Sequence, residues 1–213
     1  MAVLGMYACL LLLAVSPSVQ ADRQRASRHQ VLEALLESEG HLEIPGDPPV
    51  ARGDIAALAT SPPAAVVRGS FESVQVNVDA AGNNLLGDAA NEPSIAVDPT
   101  NPARIVIGWR QFDSVASDFR QAGWAYSHDA GLTWTFPGVL EPGVFRSDPV
   151  LGADADGDFY YYSLWSPAPE QFACDLFKST DGGITWGDPV FGFGGDKAWM
   201  AIDRTEGVGR GHI

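Results

Sequence analysis

From Phe71 onward the chain alternates apolar and polar residues in short runs. FESVQVNV, Phe71 to Val78, has the period of two that turns one face of a strand inward. Beyond it three passages align with one another: NEPSIAVDPTNPARIVIGW (Asn91 to Trp109), RSDPVLGADADGDFYYYSLW (Arg146 to Trp165) and GDKAWMAIDRTEGVGRGHI (Gly195 to Ile213). Each has a polar lead-in, a short apolar strand ending in Asp (Asp98, Asp154, Asp203), a turn and the start of a second strand. The first two continue through a third strand into an octapeptide of one pattern, Ser-x-Asp-x-Gly-x-Thr-Trp: SHDAGLTW at Ser127 to Trp134 and STDGGITW at Ser179 to Trp186.

The octapeptides predict a stapled hairpin turn. Asp129 and Asp181 are placed to accept hydrogen bonds from backbone N–H groups of their own turn, and Gly131 and Gly183 to take a positive φ. Trp134 and Trp186 are placed to pack between neighbouring sheets. Ser127, Asp129, Gly131, Trp134, Ser179, Asp181, Gly183 and Trp186 therefore read as scaffold. A repeat of about 50 residues with four strands per unit predicts an all-β fold of β-propeller blades over residues 70–213. A ring needs at least about four blades and the passages supply fewer than three, so the reading predicts part of a longer propeller, with closure by self-association as the alternative.

The N-terminal pattern differs. Met1 to Val15 is almost wholly apolar and Val-Gln-Ala ends at Ala21, which predicts a signal peptide over 1–21, export, and no membrane span. Over 22–69 the chain reads as a helix followed by a linker. SRHQVLEALLES places Val31, Leu32, Leu35 and Leu36 on one stripe with Ser27 as N-cap, and IPGDPPVARGD and ATSPPAAVVRG are Pro- and Gly-rich. Composition adds three exclusions. A net charge of −14 argues against a nucleic-acid partner. With Cys9 removed in the signal peptide, Cys174 is left alone and no internal disulfide forms. The four His residues are scattered without metal-ligand spacing, and no phosphate loop or nucleophile triad is present, so neither a metal nor a cofactor is expected. DADGD (Asp154, Asp156, Asp158) fails the EF-hand spacing and reads as an Asp-Gly hairpin turn.

Strand direction locates a candidate site. Antiparallel blades put the one-to-two and three-to-four turns at one end. The lead-ins gather at the other, with the two-to-three loops Arg110 to Gln121 and Ser166 to Cys174. That end collects Glu92, Arg110, Asp113, Asp118, Arg120, Arg146, Asp148, Asp196 and Lys197. Asp148 and Asp196 are the candidate acid–base carboxylates. Arg146, Arg110, Glu92 and Lys197 are the candidate substrate-binding residues. The alternative is an ion-pair network that positions the lead-ins.

The octapeptide pattern resembles the Asp-box (BNR) repeat of sialidase-like β-propellers, nearest to secreted bacterial sialidase-like proteins, over about Phe71 to Ile213. The resemblance implies a six-bladed-type propeller, here partial, of glycoside-hydrolase lineage, acting on or binding a glycan or glycoprotein. Asp-boxes also occur in non-catalytic propellers, so a carbohydrate- or protein-binding role is the alternative. The family's catalytic set joins arginines, a Tyr–Glu pair and an acid–base Asp drawn from several blades. Phe145-Arg146-Ser147-Asp148-Pro149 resembles the family's arginine motif with one residue inserted, and no turnover is expected from this segment alone.

Overall fold

The computed structural model describes residues 45–49, 58–168 and 171–213. The expected signal peptide and the Ser27 to Ser38 helix lie outside the described residues. The strands are β1 (Thr60–Ser61), β2 (Ala65–Arg68), β3 (Phe71–Val74), β4 (Asn84–Leu85), β5 (Ala89–Val97), β6 (Ile105–Phe112), β7 (Arg120–Ser127), β8 (Thr135–Val139), β9 (Ser147–Ala153), β10 (Phe159–Ala168), β11 (Gln171–Ser179) and β12 (Val190–Phe191). They form four antiparallel sheets and, among the described residues, no helix and no closed ring. Two of the sheets are four-stranded meanders, β5-β6-β7-β8 and β9-β10-β11-β12; the pairs β1-β4 and β2-β3 are the other two.

The meanders stack face to face because their strands are apolar on both faces, so each sheet is covered twice. On β6 and β7, Val106, Ala122 and Trp124 face the second sheet, while Trp109 and Ala125 face Leu85, Val76 and Trp134. On β10, Phe159 and Tyr161 enter the core between the two sheets, whereas Tyr162 and Leu164 enter a third core with Cys174, Ala198 and Met200. That double covering is why Phe159 to Tyr162 reads as an unbroken aromatic run. The two sheets approach closely where Gly108 leaves room: a Cβ there would lie 2.4 Å from Tyr161 Cε2. Across the same gap the Tyr161 hydroxyl donates to the Gly123 carbonyl at 3.2 Å, and Trp124 Nε1 donates to the Gly183 carbonyl at 2.9 Å. The first strands of the two meanders touch through the Leu151 amide, which donates to Ser94 Oγ at 2.9 Å.

Four expectations change in detail. Ala65–Arg68, in the stretch whose composition reads as linker, is strand, paired with Phe71–Val74 into an exposed hairpin. The alternation of Phe71 to Val78 stops being strand at Val74, because Gln75 turns inward and donates to Asn84 Oδ1 at 2.6 Å. The expected loop Ser166 to Cys174 is mostly ladder, with Ala168 facing Gln171; Phe172 and Cys174 bury against Leu164 and hold the pairing past the prolines. The third passage forms no strand, yet Asp203 N–H donates to the His212 carbonyl at 2.9 Å and its carbonyl accepts from Gly211 N–H at 2.8 Å. Those two bonds place the passage in hairpin register on the far side of the second sheet, where Met200 and Ile202 pack over Gly152.

Candidate functional site

At the turn end, the two octapeptides close with the same hydrogen bonds. Ser127 Oγ donates to Asp129 Oδ1 at 2.7 Å and accepts from Gly131 N–H at 2.8 Å; the Thr133 amide and hydroxyl donate to the two Asp129 oxygens at 2.9 and 2.6 Å. In the second copy Ser179 Oγ donates to Asp181 at 2.9 Å and accepts from Gly183 N–H at 2.9 Å, while the Thr185 amide and hydroxyl donate at 3.0 and 2.5 Å. The Thr133 hydroxyl and amide pull the Asp129 pKa down to about 2. Burial raises that of Asp181, but the Thr185 hydroxyl and amide outweigh it and the net shift is downward. Carboxylates engaged in this way by their own turns hold the hairpin shut and act as scaffold.

Trp186 packs edge-on to Tyr161, centroids 5.8 Å apart, in the core between the meanders. Trp134 packs instead on Val76 and Leu85, on the first sheet's opposite face. Asp154 closes its own turn: Oδ1 accepts from the Asp156 and Asp158 amides, each at 3.0 Å, and Oδ2 from the Tyr160 hydroxyl at 2.9 Å.

The opposite end is built differently. Glu92, Asp148 and Lys197 occupy the same position in the three aligned passages, and all three hold a left-handed backbone, with φ of 49°, 48° and 57°. Non-glycine residues enter that region rarely, at about 1–3 kcal/mol each. The effect is to turn three side chains toward one another. Lys197 Nζ lies 2.9 Å from Glu92 Oε2 and 3.5 Å from Asp148 Oδ2. Arg110 reaches across from β6, with Nη2 2.5 Å from Glu92 Oε1, Nη1 3.9 Å from Asp148 Oδ1, and Nε donating to Asn91 Oδ1 at 2.9 Å. The Glu92 carboxylate raises the pKa of Lys197 further, against the opposing effect of burial.

These residues open onto a cavity of about 270 Å³ whose wall includes Glu92, Ser94, Asp148, Val150, Lys197 and Trp199. Asp148 is deeply set, its side chain 4% exposed, and its Oδ2 accepts no hydrogen bond. Trp199 stands 78% exposed on the rim and also lines an apolar groove with Tyr162, Phe193 and Met200.

The remaining candidates lie elsewhere. Asp196 is exposed and is not part of the cavity wall. Arg146 is buried inside the fold, its guanidinium paired with Glu141 and with Asp175 at 2.9 Å and set over the Phe177 ring at 5.0 Å. Arg120 is buried over the Phe145 ring at 5.0 Å. Asp118 binds the Gly46 and Asp47 amides at 2.7 and 2.8 Å, and Asp113 is exposed. Sequence reasoning missed Trp199. Its signal was the phase of the third passage: Ala198, Met200 and Ile202 alternate inward, which sends Trp199 outward.

No family model matches the chain, and no curated protein sequence matches it. Among solved structures it is similar to the Hadza microbial sialidase Hz136, with a TM-score of 0.42 and 15% identity over 56% of this chain and 28% of that one. The match spans little more than a quarter of that protein's length. Among the described residues no helix is long and apolar enough to cross a membrane.

Proposed function

We propose that this chain is a blade-bearing part of a secreted Asp-box propeller that binds glycans at the lead-in cavity. One observation carries the reading. Three equivalent, left-handed lead-in residues, Glu92, Asp148 and Lys197, meet around one open cavity beside the exposed indole of Trp199. Strain repeated at the same position of three passages has a use when it gathers side chains that the sequence keeps far apart. An indole face beside a cluster of charged hydrogen-bonding groups suits a sugar, whose ring has an apolar face and a polar edge. Glycan-array binding of the full chain tests the reading. Binding that Trp199→Ala abolishes without altering the unfolding midpoint supports it, and an array with no signal overturns it.

A catalytic reading has its own observation, since Glu92 and Asp148 both face the cavity. Two carboxylates on one sugar site are the minimum for glycoside hydrolysis, and Glu92 replaces Asp196 as the second of the pair. Binding is favoured because both carboxylates are engaged by Lys197 and Arg110. Release of fluorophore from a panel of fluorogenic glycosides, lost in Asp148→Asn, would reverse that preference.

A further inference from the structure

We infer that the lead-in cavity selects an uncharged, hydroxyl-rich sugar and rejects an acidic one. This rests on the glycan-binding reading above and names its ligand class. Among the described residues Lys197 is the one cation in the cavity wall, and it already lies against two carboxylates. Arg110, behind the wall, is likewise committed to Glu92 and Asp148. The Glu92 and Asp148 carboxylates offset the charges of Lys197 and Arg110, inside a chain whose net charge is −14. An incoming carboxylate would compete with both for Lys197, and Asp148, its side chain 4% exposed, has no route to solvent once that cation is drawn away, whereas Glu92, 37% exposed, has one. Desolvating an unpaired charge costs far more than a hydrogen bond returns.

A hydroxyl meets the opposite situation. Asp148 Oδ2 is buried and accepts no hydrogen bond, so it wants a donor, and the Lys197 ammonium 3.5 Å away offers three N–H groups. A sugar carrying neighbouring hydroxyls can donate to Asp148 Oδ2 with one and accept from Lys197 Nζ with the other, leaving both charges paired. The apolar face of the same ring then lies toward the Trp199 indole, and a following residue toward the apolar groove that Trp199 shares with Tyr162 and Phe193.

The test pairs each neutral glycan with its sialylated counterpart, lactose with 3′-sialyllactose among them, titrated calorimetrically into the full chain. The result expected is binding of a neutral member with the sialylated partner at least tenfold weaker. Asp148→Asn is the decisive variant. Asparagine tolerates a left-handed φ, so the lead-in should keep its shape. The change removes the charged acceptor and releases one claim on Lys197, so neutral binding should fall about tenfold while sialylated binding rises. Equal or tighter binding of the sialylated partner by the native chain overturns the neutral-sugar inference but keeps the glycan reading. An Asp148→Asn chain that loses nothing also overturns the inference. Failure of every pair to bind overturns both.

Discussion

Arg146 carries a charge that scarcely meets solvent. Its side chain is 2% exposed, between the Glu141 and Asp175 carboxylates and over an aromatic ring. Such a residue is a clamp inside the fold. Arg146→Met should lower stability by about 3–5 kcal/mol, because it leaves two carboxylates facing each other without a cation, and urea unfolding monitored by tryptophan fluorescence would read it. Lysine should not rescue, since a point charge cannot reach both partners as the planar guanidinium does. A variant that kept its unfolding midpoint would return Arg146 to the ligand-binding set. Gly183 is a second single-residue constraint. Its φ is +86°, and a Cβ would lie 2.4 Å from Val106 Cγ2. Gly183→Ala should cost about 1–3 kcal/mol through strain and overpacking together. Gly131, which has the same φ sign but no neighbour nearer than 3.6 Å, should cost less.

At the scale of the element, the octapeptide hairpins are acid-sensitive by construction. The Asp129 pKa, near 2 in the fold, lies below the ordinary aspartate value of about 3.9, and Asp181 is lowered too. Between those values the unfolded chain binds protons that the folded turn refuses. The stabilisation is therefore complete above about pH 4 and lost as the pH falls toward 2. The unfolding midpoint should fall over that range, and an Asp129→Asn, Asp181→Asn chain should show a shallower slope. A slope unchanged in the double variant would assign the acid loss to other carboxylates. The contact between elements has a comparable test at Gly108, where the two meanders leave space for hydrogen alone. Gly108→Ala would drive a methyl into Tyr161 and Leu151, separating the sheets or displacing the ring, at about 1–3 kcal/mol.

At the scale of the molecule, the layers stack in chain order, first meander, second meander, third passage, each interface an apolar core. Cys174 reports on the last of these. Its thiol sits under the third passage, 3.6 Å from the Gly195 carbonyl, and burial pushes its pKa up to about 11. Alkylation needs the thiolate and access to it. Native protein at about pH 8 should resist iodoacetamide at Cys174 until the passage lifts from the second sheet, with peptide mapping separating Cys174 from Cys9. Rapid labelling under native conditions would mean that the third passage is not docked, and with it Lys197 and Trp199 would leave the cavity wall.

The sequence by itself determined the parts whose physics is local. The alignment of the repeated passages, each running through a strand into its octapeptide, marked the long strands β6, β7 and β11. The Ser-x-Asp-x-Gly-x-Thr frame set the two hairpin turns, because every bond in it joins residues no more than four apart. Antiparallel order then assigned Glu92, Asp148 and Lys197 to one end. What only the tertiary structure decided is which of the charges at that end meet. Glu92 and Lys197 are 105 residues apart and bond directly, while Arg146, two residues from Asp148, is buried with Asp175. Nothing in the local pattern separates Asp148 from Asp196, or Arg110 from Arg146. The choice comes from three left-handed lead-ins and from the stacking of successive layers, and these depend on residues far apart in the chain packing together.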